Sequence, residues 1–252
     1  MSRRDHEIQT TSPFACVASA RSNPYLPDSG VDLMDSNIDL PRLRTLLRSV
    51  GVSDAMDAIG SRTHCLPSGI NPVGPLAHPV VGFAFPVTTE LVDIAPPERY
   101  VGVLASLAAI QADEVFIISS LGASDVAIWG ELLSTSCGEK GVAGAVCDGP
   151  VRDTAQIRDL GFPCFSSGSV PYDVNGRVEV VAHGEPIEIG GVAIHHGDLV
   201  VGDEDGIVIV PREHISEIVS AALTKADLEA EFLEAMAGGM SIADAYTKYG
   251  VL

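Results

Sequence analysis

The sequence is short of positive charge. Of its 252 residues, 15 are Lys or Arg against 34 Asp or Glu, and the formal net charge is −19. A broad nucleic-acid interface needs clustered Lys and Arg to meet phosphates, so this balance argues against one. It argues equally against adhesion to an anionic membrane. An acidic chain that takes an acidic ligand must concentrate positive charge in one place, by an Arg, a metal ion or a helix N-terminus. Lysine is scarcer still, with only Lys140, Lys225 and Lys248 present. Lys140 sits in a Gly-Glu-Lys-Gly turn and the others in polar C-terminal segments, so none is expected in the desolvated pocket that a Schiff-base lysine needs. The five cysteines include no Cys-x-x-Cys pair. They read as free thiols in a reducing cytoplasm. No apolar run is long enough to cross a membrane. Arg3 and Arg4 precede the apolar Phe14–Ala18, but that stretch is too short for a signal peptide and acidic residues intervene.

What remains is a chain able to fill a core, with 46% hydrophobic residues. Residues 1–37 mix Ser, Pro, Asp and Thr without periodicity and are expected to form a poorly ordered extension. A single α/β domain is expected over 38–252, with a C-terminal helical arm from about residue 213. Leu43, Leu46, Leu47 and Val50 have helical spacing, and Ser53 is expected to cap a short helix that Gly60 ends. Pro79–Thr89 reads as a strand and Pro96–Ile110 as a helix with Pro97 in its first turn. Strands at Val115–Ser119, Val142–Cys147 and Pro163–Ser166 alternate with helices at Gly130–Ser136 and Arg152–Leu160. Such alternation implies parallel pairing in a covered sheet. A β-rich stretch, Val178–Val210, and a long polar helix, about Glu213–Met236, complete the chain.

Open α/β sheets bind ligands beyond the carboxyl ends of their strands. Two loops qualify here: Leu121–Asp125, running into Trp129-Gly130-Glu131-Leu132-Leu133, and Asp148–Asp153. If their strands are neighbours, both face one pocket. The planar guanidinium of Arg152 can grip a carboxylate through two parallel hydrogen bonds. The N–H groups of Leu132 and Leu133, at a helix start, can hold the same anion. Asp153 can ligate a hard divalent cation, since Mg²⁺ takes one or two carboxylates and keeps its waters. Glu131 can bind a metal-bound water or move a proton. Metal and Arg together would polarise a 2-oxo acid and stabilise the enolate left when a C–C bond breaks. The alternative is a solvated helix cap with a surface ion pair.

Other features read as structural. His195-His196 lies in a hairpin-like stretch with no third ligand nearby in sequence. Asp203-Glu204-Asp205-Gly206 reads as an acidic hairpin turn, Asp148-Gly149 as a turn, and Trp129 as packing at the pocket wall. Gly141-Val142-Ala143-Gly144 precedes its strand, unlike a dinucleotide fingerprint.

The segments Trp129–Leu133, Gly141–Asp153, Gly161–Phe165 and Gly197–Gly206 together resemble the RraA-like family, with similarity from about Ser53 to Leu252. That family contains metal-dependent (class II) pyruvate aldolases, such as 4-hydroxy-4-methyl-2-oxoglutarate aldolase, which also decarboxylate oxaloacetate. It also contains non-catalytic regulators of ribonuclease activity, and many members carry a menaquinone-methyltransferase label. No Gly-rich loop follows a strand here in the way a methyltransferase's nucleotide cofactor requires. The resemblance implies a swivelling β/β/α domain with a central sheet, assembled as a homotrimer or hexamer. It implies a cytoplasmic lyase using Mg²⁺ or Mn²⁺ on a 4-hydroxy-2-oxo acid. Arg152, with Gly130 and the backbone of Leu132 and Leu133, would bind substrate, and Asp153 would ligate the metal. Glu131 stands where characterised aldolases can have Asp, and Glu229 matches an acid supplied by the neighbouring subunit; both would act through metal-bound water. The alternative reading is a regulator that binds a ribonuclease or helicase.

Overall fold

The strand that organises the molecule is also among its most apolar segments. In the computed structural model, which describes residues 38–251, the chain begins with helices α1 (Leu40–Leu46) and α2 (Ser49–Ala58) and a short strand β1 (Asn71–Pro72). The long strand β2 (Val80–Leu91) follows, buried from Val80 through Val87. Next come α3 (Val101–Ala109), β3 (Glu114–Ile118), α4 (Glu131–Glu139), β4 (Gly144–Cys147), α5 (Thr154–Leu160) and β5 (Cys164–Ser166). The chain ends with β6 (Val178–His183), a hairpin of β7 (Ile187–Ile189) and β8 (Val192–Ile194), a second hairpin of β9 (Leu199–Asp203) and β10 (Gly206–Val210), and helices α6 (Ile215–Ala237) and α7 (Ile242–Tyr249). The expected N-terminal extension lies outside the described residues.

Strands β2, β3, β4 and β5 pair in parallel, as the alternation of strands and helices requires. The other edge of β2 pairs antiparallel with β9 in its first half and with β6 in its second. His64–Leu66 hydrogen-bonds to the free edge of β10, while β1 pairs with β5. One stretch of chain thus ties the two outer strands together and nearly closes the sheet.

Side chains alternate across strands. Val80 and Ala84 of β2 point into the closed side, with Val115, Ile117, Val146 and Phe165, and the β7–β8 hairpin covers them with Ile189, Val192 and Ile194. Val81 and Phe83 face α1, α2 and the first half of α6. Phe85 and Val87 face α3 and α4. The helical layer is therefore divided: α1, α2 and α6 over one half of the sheet, α3–α5 over the other.

The helix starts differ from expectation where a distant partner takes over the cap. Helix α2 begins at Ser49 instead of Ser53, because buried Asp203 accepts hydrogen bonds from Ser49 N at 2.8 Å and Ser49 Oγ at 2.6 Å. The acidic hairpin turn is thus also a helix cap. Ser53 lies within α2 and meets His64 Nε2 at 2.9 Å. Helix α3 starts at Val101, after a left-handed Tyr100, so Pro97 precedes the helix instead of opening it. The Lys140 ammonium donates to Leu107 O and to Ala108 O (3.1 Å), closing the end of α3. The helix expected at about Glu213–Met236 is α6, and a second helix, α7, follows it in the arm.

Candidate active site

Strands β3 and β4 are neighbours, and the loops after them meet. Asp148 joins them: its carboxylate accepts from Ser119 Oγ at 2.6 Å and from the Ser120 N–H. Backbone hydrogen bonds then sew three segments together. Ile128 N donates to Pro150 O at 3.1 Å, Arg152 N to Trp129 O at 3.0 Å, Val151 N to Gly168 O at 3.0 Å and Val170 N to Val151 O at 3.0 Å. Ala127 N donates to Tyr172 O at 2.9 Å. The strand-end loops thus behave as a small extension of the sheet.

Arg152 and Asp153 emerge from this lattice into an open cleft of about 360 Å³, lined also by Thr154, Ser169, Val170 and Pro171. Asp153 has φ 56° and ψ 37°, left-handed values. For a residue with a Cβ this costs about 1–2 kcal/mol. Helix α5 therefore starts at Thr154 instead of Arg152, and the turn swings the Asp153 carboxylate back towards α4. There its Oδ2 accepts the Glu131 N–H at 3.3 Å. A Cβ on Gly130 would lie 2.8 Å from that oxygen, so glycine is what permits the approach.

The first intrahelical bond of α4 runs from Ser134 N to Gly130 O. The N–H groups of Leu132 and Leu133 lie ahead of it, in the turn that leaves donors for a ligand. Leu132 is 79% exposed, whereas Leu133 is half-buried against the α3–α4 core. Trp129 is not on a pocket wall. It is buried against Phe116 and Phe162 and donates its indole N–H to Ser134 Oγ at 2.8 Å, a rigid footing beneath the site.

Arg152 leans on two acids. Its Nε is 3.7 Å from Asp153 Oδ2 and its Nη1 3.5 Å from Asp173 Oδ1. Neither contact is a close bidentate pair, and such partly exposed pairs are worth about 0–1 kcal/mol. A ligand carboxylate taking the guanidinium fork in two short bonds competes well against them. Asp173 is the residue that reading the motifs missed. Its Oδ2 accepts the Tyr100 hydroxyl at 2.9 Å, so Tyr100, Asp173 and Arg152 form a chain. The hydrogen bond to the Asp173 carboxylate, reinforced by burial, raises the Tyr100 phenol above its ordinary pKa. The available signal was the rule that placed the other loops: 167–173 leaves the end of β5, a parallel strand of the same sheet.

Among the described residues, no three His, Cys, Asp or Glu side chains converge as a metal cage. That donor set does not fit zinc, which takes three or four protein ligands. It fits a hard, water-rich cation held by one carboxylate, Asp153, with Glu131 at the adjoining helix start. Glu229 is elsewhere in the subunit. It lies on α6 in the layer over the other half of the sheet, with Oε1 3.5 Å from Lys225 Nζ. Lys225 in turn binds Asp54 of α2. His195 and His196 pair with Asp198 and Glu114 respectively.

A family sequence profile described as Aldolase/RraA matches residues 49–209, a span that includes every element of the cleft. This chain belongs to the RraA-like family. Its relatives divide in name. The protein DlpA of Legionella pneumophila is 27% identical over 241 residues, which are 92% of this chain but only 37% of DlpA. This RraA-like chain therefore spans well under half of that relative. A Halalkalibacterium halodurans protein, provisionally named as a 4-hydroxy-4-methyl-2-oxoglutarate aldolase, is 32% identical over 180 residues, 71% of this chain and 80% of its own. Among solved structures, Streptomyces coelicolor RraAS2 is described as an unusual member of the RNase ES inhibitor RraA family. It superposes with a TM-score of 0.66 at 30% identity, covering 76% of this chain and 93% of its own. The mixed α/β fold, with its nearly closed sheet and C-terminal helices, is that of these relatives. No helix among the described residues is long and apolar enough to cross a membrane.

Proposed function

We propose that this RraA-like protein is a divalent-metal-dependent lyase that cleaves a 4-hydroxy-2-oxo acid to pyruvate and also decarboxylates oxaloacetate. The observation that carries this reading is Arg152 and Asp153 in one cleft beside the open first turn of α4, with Asp153 strained to face that turn. Strain of this kind persists where the surrounding structure enforces it, and it marks functional sites. The name of the Halalkalibacterium relative points the same way.

In this scheme the Arg152 fork and the Leu132 and Leu133 N–H groups hold the C1 carboxylate. Asp153 would hold Mg²⁺ or Mn²⁺, and Glu131 and the neighbouring subunit's copy of Glu229 would be the further acids near it. A bound cation supplies Lewis acidity at the 2-oxo group. The C4 hydroxyl loses its proton and becomes a carbonyl as the C3–C4 bond breaks, and the electron pair left on C3 then takes up a proton. Glu131, whose backbone N–H donates to Asp153 Oδ2, would supply the carboxylate that moves such a proton. In oxaloacetate the same electron pair is released as carbon dioxide departs.

The RraAS2 structure favours a second reading, in which the protein binds a ribonuclease and does no chemistry. Turnover decides between them. Incubation with oxaloacetate and with 4-hydroxy-4-methyl-2-oxoglutarate should release pyruvate, and borohydride should trap no substrate on the protein. Absence of pyruvate from both, in metal-replete protein, contradicts the lyase reading. Covalent trapping contradicts the metal route.

A further inference from the structure

A second cleft, about 220 Å³, adjoins the first; Thr154 and Ser169 line both. Its one cationic group is Arg158, four residues from Thr154 along α5, a rise of about 6 Å. The Arg158 side chain is held across the chain entering β2. Its Nε donates to Val73 O at 2.8 Å, and its Cγ lies 2.7 Å from where a Cβ on Gly74 would be. A guanidinium tethered at Nε has its two Nη groups left to donate. Among the described residues, no carboxylate pairs with them. The opposite rim is the exposed Ser167-Gly168-Ser169 turn, two hydroxyls beside a glycine.

From this arrangement we propose that the second cleft is an anion subsite, in which Arg158 with Ser167 and Ser169 binds a carboxylate at the far end of a 2-oxo acid whose C1 carboxylate sits on Arg152. The proposal rests on the 2-oxo acid reading and deepens it: both acids named there carry a second carboxylate, and Arg158 is the specificity residue for it instead of a catalytic one. In a chain of net charge −19, an unpaired guanidinium on a polar cleft is a place where a second negative charge is favoured. A planar fork held at Nε presents its Nη pair in a fixed direction, so less entropy is lost on binding than with a free lysine.

The test is calorimetric and needs no turnover. Binding of 2-oxoglutarate, dicarboxylic, is compared with binding of 2-oxobutyrate, monocarboxylic, to the Mg²⁺-loaded full chain. Wild type should prefer 2-oxoglutarate by about tenfold or more, roughly 1.4 kcal/mol. Arg158→Gln should erase that preference while binding 2-oxobutyrate as wild type does, which also shows that the variant folds. Arg158→Lys, which keeps the charge but loses the fork, should fall between. An unchanged preference in Arg158→Gln overturns the subsite, as does a wild type without preference. If neither acid binds to wild type, the 2-oxo acid reading fails and the subsite with it. If Arg152→Ala abolishes 2-oxobutyrate binding while Arg158→Gln leaves the preference intact, the subsite alone fails.

Discussion

Arg152 and Glu229 are assigned to one reaction, yet the fold holds them in opposite ways. Around Arg152, five backbone hydrogen bonds join three loops, buried Trp129 lies beneath, and Asp153 is bent into a left-handed turn. Around Glu229 there is an exposed helix face and one ion pair, to Lys225. The first half of α6 is anchored on its own core by Ile215, Ile218 and Ala222. The second half buries Phe232 against Tyr249 of α7 but leaves Leu233 66% exposed, and α7 leaves its first residue, Ile242, 55% exposed. The difference teaches which half of the machinery is set by folding. The Arg152 side is preorganised within one chain, whereas Glu229 can join it only if assembly brings another chain's arm to the cleft.

The largest effect should come from the preorganised side. Arg152→Lys keeps the charge and loses the planar fork. Its rate of pyruvate release should fall at least about tenfold, the equivalent of roughly 1.4 kcal/mol in the transition state. Turnover near the wild-type rate would remove Arg152 from the site. Gly130→Ala probes the same side without touching a charged group. The added methyl meets Asp153 Oδ2, so the carboxylate must move. Activity should drop by about tenfold, the scale on which supporting contacts of metal ligands act, while circular dichroism stays native. Unaltered activity would mean that the Asp153 position is not critical.

The assembly side is tested by mixing. Arg152→Ala and Glu229→Ala subunits, each inactive alone, should regain part of the activity after subunit exchange, because some sites then combine two intact halves. Proven exchange with no recovery would show that Glu229 serves its own chain or none.

The smallest effect concerns stability, away from both halves. His183 stacks on Phe85 with ring centroids 5.4 Å apart, and burial, with nearby His196 adding to it, lowers its pKa from 6.5. Above that value His183 is neutral in the folded and unfolded chains alike, and stability is complete. As pH falls below it, the unfolded chain binds the proton first, and stability declines until the lower folded pKa is reached. The melting temperature should therefore drop by a few degrees, of the order of 2–4 °C per kcal/mol lost, and the drop should shrink in His183→Gln. An identical decline in both proteins would assign the effect elsewhere.

The comparison also explains what the sequence made legible. Strand–helix alternation, parallel pairing and the meeting of the Leu121 and Asp148 loops follow from hydrophobic pattern and the geometry of open sheets. They were readable because each signal is local. Helix starts were less so: α2 is capped by Asp203, more than a hundred residues away, and no window around Ser53 contains that carboxylate. Asp173 was missed for a related reason, although its loop leaves the end of a parallel strand. It sits in an irregular loop whose path is fixed by pairing with Ala127 and Val151, and not by its own composition. The C-terminal arm misled differently. Leu223, Leu228, Phe232 and Met236 have one helical spacing but three fates, from buried Phe232 to exposed Met236, because α7 covers only part of the stripe.

Pyruvate release across an Mg²⁺ or Mn²⁺ titration, with wild type and Asp153→Asn side by side after chelation, addresses the central claim most directly. Chelated wild type should be inactive and regain its rate as metal is added, while Asp153→Asn should stay inactive at metal concentrations that fully restore wild type. A full rate in chelated wild type, or the same metal response in Asp153→Asn, would contradict a metal held by Asp153 beside Arg152.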